Sequence, residues 1–394
     1  MLDLIILYLF VFSCFLIVYH HVLYPVLLKL VAKKLNLIPL EIKGRSYVKS
    51  TKDKQLNRFS IIIPAYNEEK YIADKIHNLS ALDYPSDKYE FILLCDGCSD
   101  QTYQVANDAL TQLSCQDLLF QVINFNENRG KVAVLKDGIN KAKFENIVLS
   151  DVSALLPINS LLMLDSHFAD DLVGAVSGAY RFASKGSAGE QKYWNYQTAI
   201  KSRESAVASV LGAHGAFYAL RRVCYEEIPV DTINDDFLIP MNVIKQGFRV
   251  VYEPRVAAVE LESVDINQDM KRRVRIAAGN FQQLIYLLPL LAPKYGWNAF
   301  NFASGKALRA LTPFILLIIL LTSLYLLSTH AFFIYVFVTQ VLVYGGVWLT
   351  NILKYSPNNK LIKLVCYLIN GYWVALIGSL KYMLGLQQKV WTKI

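Results

Sequence analysis

Residues 91–96, FILLCD, and residues 146–151, NIVLSD, are two short apolar runs that each end on an aspartate. Runs of this length, rich in Ile, Val and Leu and bounded by turn residues, read as buried strands. Parallel strands of an open α/β sheet align their carboxyl ends, and ligands bind along that edge. Asp96 and Asp151 therefore fall on one rim. Further along, Asp235 and Asp236 open the segment NDDFLIP (234–240). Acids at two strand ends with basic loops between them suit a divalent metal and a diphosphate.

Outward from these runs the pattern repeats. FSIIIP (59–64) precedes a helix from about Glu68, YEFILLC (89–95) precedes a helix after Asp100, and LLFQVIN (118–124) precedes a helix after Lys131. Apolar strands alternating with helical stretches predict a parallel sheet with crossover helices. Residues 190–208, with Tyr193, Trp194 and Tyr196, read as another helix leading into GAHGAFYALRR at 212–222.

The flanks have a different character. The chain has 394 residues, 54% of them hydrophobic, and a net charge of +8, and its mean hydropathy is +0.31. Residues 4–30 are almost continuously apolar. Asp3 at their start and the lack of a small-residue cleavage site favour an uncleaved anchor over a signal peptide. Lys29, Lys33, Lys34, Lys43 and Arg45 follow, which predicts a cytoplasmic trailing side and an outer N-terminus. Residues 33–57 read as a basic linker, 58–265 as the catalytic domain, and 266–305, with MKRRVRIAAGNF, as amphipathic interfacial helices. Within 306–394, segments near 308–328, 331–353 and 361–383 are each long enough to cross a bilayer. The last is ambiguous, because spanning leaves Lys389 and Lys393 outside; a re-entrant or interfacial segment is the alternative. The expected location is a multi-pass inner (plasma) membrane protein, in contact with the lipid bilayer, whose catalytic domain is cytoplasmic.

The positive charge does not indicate nucleic acid, since no arginine-rich arm or zinc motif accompanies it. Cys95 and Cys98 have C-x-x-C spacing, but no second pair or histidine cluster completes a zinc site. The six cysteines read as free thiols of a reducing compartment.

Four segments carry candidate chemistry. In IIIPAYNEE (61–69), Pro64 ends the strand, Tyr66 offers a ring for stacking, and Asn67 and Glu68 offer contacts to a base edge. In CDGCSDQT (95–102), Asp100 can cap the next helix, whereas capping does not explain Asp96, which can accept a hydrogen bond from a base or ribose. NENRGKVAVLKDG (126–138) puts Arg129, Gly130 and Lys131 at a helix start, where backbone N–H groups attract phosphate; a solvated basic turn is the plainer alternative. SDVSALLP (150–157) leaves Asp151 at a strand end, suited to a hard cation that bridges phosphate oxygens.

These segments, in this order, resemble the family 2 glycosyltransferases, including the membrane-bound cellulose, chitin, hyaluronan and Nod-factor backbone synthases. The resemblance covers about residues 58–280. It implies a GT-A (Rossmann-like) α/β domain and a nucleotide-sugar donor, usually UDP-linked. It further implies that Pro64, Ala65, Tyr66, Glu68, Asp96, Arg129 and Lys131 surround the nucleotide. Asp151 matches the first acid of the family's D-x-D element, which coordinates Mg²⁺ or Mn²⁺. Asn234-Asp235-Asp236 matches its T/E-E-D element, whose final acid, the general base, falls on Asp236. Arg272-Arg273-Val274-Arg275-Ile276 matches Q-x-x-R-W and sets Arg272 and Arg275 near the diphosphate.

Two positions depart from that pattern. Ser153 replaces the second acid of D-x-D, which leaves a cation to Asp151, diphosphate and water. Ile276 replaces the tryptophan that borders the acceptor in polymerising members, so single-sugar addition to a lipid-linked acceptor and extension of a glycan both stay open. Gly212, His214 and Gly215 form a candidate acceptor floor, with His214 equally consistent with a structural role. Arg221 and Arg222 read as solvated or as lipid-headgroup contacts. The competing classes are a catalytically silent membrane scaffold and a transporter; the apolar segments offer few charged or broken helices for the latter. Donor sugar, linkage and oligomeric state are not encoded in these motifs.

Overall fold

The computed structural model describes residues 1–35, 54–182, 188–262, 266–355 and 357–386, with the side chains of 188–194 and 266–269 set aside. Most of the expected linker, Lys43, Arg45, Lys389, Lys393 and the side chains of Tyr193 and Trp194 lie outside these described residues.

The elements run α1 (Leu2–Val18), α2 (Tyr24–Lys34), β1 (Phe59–Ala65), α3 (Ile72–Ser80), β2 (Tyr89–Asp96), α4 (Thr102–Leu110), β3 (Leu119–Phe125) and α5 (Lys131–Lys141). They continue β4 (Asn146–Leu149), β5 (Ala154–Leu155), α6 (Ser160–Phe168), β6 (Val173–Phe182), α7 (Ala188–Val207), β7 (Tyr218–Arg221), α8 (Asp235–Lys245) and β8 (Arg249–Glu260). Five helices close the chain: α9 (Ile266–Tyr286), α10 (Trp297–Asn301), α11 (Leu308–Tyr325), α12 (Ala331–Ile352) and α13 (Lys360–Met383). The described residues sort into two compact units, one of 28–35, 54–182, 188–262 and 292–299, the other of 1–27, 266–291, 300–355 and 357–386.

The first unit is built on an eight-stranded sheet of order β3-β2-β1-β4-β7-β6-β8-β5. Strands β3, β2, β1 and β4 are parallel, as the alternation predicts. The second half is mixed: β7 runs antiparallel to both β4 and β6, and β6 runs parallel to β8. Apolar content marks a strand but carries no sign of its direction, so the antiparallel pairs of this half lie beyond what the alternation over 59–151 predicts.

Strand β1 is buried along its whole length. Its period of two sends Ile61 and Ile63 to a cluster with Ile72, Ile76 and Leu79 of α3. Ile62 faces the other side, where Gly138 lets α5 approach; a Cβ there would come 2.6 Å from Ile62 Cγ2. Each buried isoleucine contributes about 1.5–3 kcal/mol relative to exposure. Pro64 lies beyond the last β1–β4 pair, Ile62 with Leu149, so its missing N–H leaves that ladder intact.

The second unit is helical. Among the described residues four helices are long and apolar enough to cross a membrane: Leu2–Lys34, Trp297–Ser328, Ala331–Ile352 and Lys360–Met383. The second starts earlier than position 308, because Trp297 onward continues into α11 through a π-helical turn at Phe302–Ala307. The last is an unbroken helix of 24 residues. Phe10 packs with Ile315, Ile319, Leu326 and Phe333. Another π-helical turn, Tyr19–Leu23, carries Tyr19 and His20 to Ser304, 2.8 Å from its hydroxyl and 2.8 Å from its carbonyl. Gly378 of α13 lies against Val274 and Ala277 of α9, where a side chain would clash at 2.6 Å.

Candidate active site

The site grows from the carboxyl ends of β1, β2 and β4. The loops after β1 and β2 lock together. Asn67, in the left-handed region at φ 56°, accepts from the Ser99 N–H at 2.8 Å. Glu69 accepts from the Gln101 N–H at 3.0 Å, and Asp100 in return accepts from the Glu69 N–H at 3.2 Å. Asp100 also takes the Thr102 N–H at 3.0 Å, the local bond expected of a residue at a helix start. Asn67 and Asp100 thus shape the rim, with half-exposed Tyr66 and Glu68 between them.

Asp96 is fully buried, at 0% exposed. Its two oxygens accept from the backbone N–H groups of Arg129 and Gly130, each at 2.9 Å. A carboxylate bonded to two N–H groups is strongly anchored, so Asp96 acts on the loop that leads into α5. Gly97 allows this: it has φ 62°, and a Cβ on it would lie 2.4 Å from the backbone of Glu127 and Asn128. Arg129 turns its guanidinium over the Phe125 ring at 4.6 Å and pairs with Asp137 at 2.7 Å. Lys131 points the other way.

The Lys131 ammonium lies 2.9 Å from Asp151 and 3.7 Å from Asp235. Burial alone would lower its pKa, but the carboxylates of Asp151 and Asp235 outweigh that and hold it above its ordinary value. Asp236 is placed by the Gly215 N–H, 2.9 Å from its Oδ2. Burial and the adjacent Asp235 push its carboxyl up to about 6, against the pull of Lys131. A Cβ on Gly215 would sit 3.2 Å from Asp151, 3.5 Å from Asp236 and 3.6 Å from Lys131. Those three side chains therefore converge on a glycine that leaves them room.

Pro64, Lys131, Asp151, Gly215, Tyr218 and Asp235 line the cleft. Tyr218 has no obvious sequence signal beyond its place in GAHGAFYALRR. It is buried, and its hydroxyl has no hydrogen-bond partner among the described residues. Burial first, then Asp235, Asp236 and Asp151, raise its ionisation well above the ordinary range, so it remains a neutral donor. His214 stacks on Tyr180 with centroids 5.9 Å apart. Gly212, at φ 75°, admits the Phe237 ring, which a Cβ would strike at 2.2 Å. Half-buried Arg221 donates to the Val173 carbonyl at 2.9 Å, and exposed Arg222 donates to the Ala142 and Asn140 carbonyls. Arg272 and Arg275 are on α9, in the helical unit, and are not among the residues the sheet unit gathers.

Three carboxylates around one ammonium leave an excess of negative charge, and their oxygens are the hard donors that Mg²⁺ and Mn²⁺ prefer. Ser153, buried, hydrogen-bonds Glu260. Among the described residues no group of three or more His, Cys, Asp or Glu could hold a metal unaided. Asp151 thus fits a hard cation as one ligand, with phosphate and water completing the shell.

The fold belongs to the GT-A class of glycosyltransferases. A mannosyltransferase from Pyrobaculum calidifontis, solved with GDP-Man and Mn²⁺, superposes with a TM-score of 0.71 at 21% identity, over 96% of this chain and 100% of that one. Residues 57–279, more than half of the chain, match the model of the "Glycosyltransferase like family 2", and the chain belongs to that family. Among curated proteins it is 24% identical over 250 residues to the poly-beta-1,6-N-acetyl-D-glucosamine synthase of Staphylococcus epidermidis, covering 61% of this chain and 59% of that protein. The same synthase of Staphylococcus aureus is 26% identical over 239 residues, covering 59% and 56%. The chain thus spans under three-fifths of the length of these relatives.

Proposed function

We propose that the chain is a membrane-embedded inverting glycosyltransferase that moves a sugar from a nucleotide-sugar donor to a lipid-linked or growing glycan acceptor in cell-envelope or exopolysaccharide synthesis. The observation that carries this reading is the meeting of Lys131, Asp151, Asp235 and Asp236 at the carboxyl edge of the sheet. UDP-N-acetylglucosamine is the first donor to test, because both curated relatives are named for polymers of that sugar.

In this reading the interlocked loops 66–69 and 97–101 receive the base and ribose, and the N-terminus of α5 faces the diphosphate. Asp236 takes the proton from the acceptor hydroxyl as that oxygen attacks the anomeric carbon. With its carboxyl pushed to about 6, it is mostly ionised at neutral pH yet keeps appreciable proton affinity. Lys131 donates to the departing diphosphate, and Tyr218 offers a further neutral O–H. Asp151 holds Mg²⁺ or Mn²⁺, which when bound supplies charge neutralisation to the leaving group. Single displacement inverts the anomeric configuration. Gly212, His214 and Gly215 border the acceptor. The catalytic domain, which in sequence follows the anchor at 1–32 and precedes the helices of 306–394, is on the cytoplasmic side of the plasma membrane.

Release of nucleoside diphosphate from the full-length, detergent-solubilised chain tests this. UDP- and GDP-sugars are offered with Mg²⁺, Mn²⁺ or EDTA. Release with one donor that EDTA stops supports the reading, while neither release nor nucleotide binding by calorimetry overturns it in favour of a silent scaffold.

A further inference from the structure

Lys75 is fully buried, at 0% exposed. It lies on the core-facing side of α3 beside Ile72, Ile76 and Leu79, where helical spacing calls for an apolar residue. A buried amine is tolerated only where hydrogen bonds compensate for lost water. Here they do: Nζ donates to Ser150 Oγ at 2.7 Å and to the Ala154 carbonyl. Those two residues are the ends of the turn that presents Asp151. Asp151 and Glu260 are the acids whose charge Lys75 feels.

The bonds continue beyond the turn. Ser150 Oγ, while accepting from Lys75, donates to the Ala216 carbonyl at 2.8 Å. The preceding residue, Gly215, is the one whose N–H holds Asp236 at 2.9 Å. Hydrogen bonds from Lys75 and Ser150 therefore fix the backbone next to Asp151 and next to Gly215, the residue that holds Asp236, without Lys75 reaching the cleft.

We propose that Lys75 is a positioning residue that clamps both ends of the Asp151 turn and, through Ser150, sets the spacing between Asp151 and Asp236. The proposal rests on the glycosyltransferase reading above. Its geometry predicts a loss in turnover with little loss in nucleotide affinity, because the loops that receive the base are anchored by Asn67, Glu69 and Asp96 instead.

The test uses the full chain with Lys75→Met, which keeps the volume and removes the donors, and Lys75→Ala, which leaves a cavity. Supporting partners behind catalytic ligands are typically worth about 10–100-fold, so Lys75→Met should lose turnover by about that factor with nucleotide Kd within about threefold. Turnover of Lys75→Ala should rise on adding methylammonium or ethylammonium and not on adding tetramethylammonium at equal ionic strength. Wild-type turnover in Lys75→Met overturns the proposal. So does a parallel fall of turnover, nucleotide binding and melting midpoint without amine rescue, which marks a purely structural lysine. A wild-type chain that neither turns over nor binds nucleotide removes the underlying reading instead.

Discussion

Lys131 and Asp151 are joined at 2.9 Å, with Asp235 3.7 Å away on the other side of the same ammonium. Asp151 is the residue expected to meet a cation, and Lys131 the one expected to meet a phosphate. Here each is the other's ion-pair partner. On the proposed function, Asp151 would hold the cation and Lys131 would donate to the diphosphate, so donor binding would exchange these partners.

Replacing Lys131 with Met removes the ammonium and keeps the stem. Turnover should fall by about 10²–10³, the usual consequence of losing one donor to developing negative charge. Without nucleotide, Mn²⁺ binding read by EPR should tighten, since the ammonium no longer competes for Asp151. Unchanged Mn²⁺ affinity would show that the pair does not guard the acid.

Asp236→Asn should lower kcat by about 10²–10⁴, the usual range for a general base, with nucleotide affinity almost unchanged. The pH dependence has a definite sign. The Asp236 carboxyl titrates near 6 and acts only when ionised, so kcat/KM should rise with pH through about 6 and then level. A profile flat between pH 5 and 7 would remove Asp236 from the base role.

Asp96→Asn exchanges a two-oxygen acceptor for an amide, which leaves one of the Arg129 and Gly130 N–H groups facing another donor. A buried donor left unpaired costs about 1–3 kcal/mol. The melting midpoint and nucleotide affinity should therefore fall together, in contrast to Asp236→Asn. Normal stability with lost binding would point to direct contact between Asp96 and the nucleotide.

Lys75 makes stability depend on alkaline pH. Burial lowers its pKa to about 7 from an ordinary 10.5, so between those values the folded chain binds fewer protons than the unfolded one. Stability from this group must then rise as pH increases from about 7 toward 10.5. Urea titration of wild type against Lys75→Met should show the slope in the former and its loss in the latter. Parallel curves would contradict the buried placement.

Much of this site is legible in the sequence because it lies at strand ends. Asp96, Asp151 and Lys131 stand where an apolar run stops or a helix begins, and the parallel alignment of β1, β2 and β4 brings those points together. What escapes is whatever depends on distant pairing. Lys75 looks like any polar helical residue until Ser150 and Ala154 arrive from far along the chain. Arg129 reads as a phosphate ligand, and nothing in its local sequence announces that its guanidinium pairs with Asp137. Tyr218 has no mark of its own within GAHGAFYALRR, and only the antiparallel insertion of β7 brings it near the acids.

That insertion has a consequence for how the protein matures. Residues 59–151 can assemble four parallel strands while the ribosome still holds the rest of the chain. Gly215, Asp235 and Asp236 come later and gather at Asp151 only once β7 has slotted in beside β4. A nascent chain thus carries Asp96, Lys131 and Asp151 before it carries Gly215, Asp235 and Asp236, and the cleft closes around its acids only when the later strand arrives.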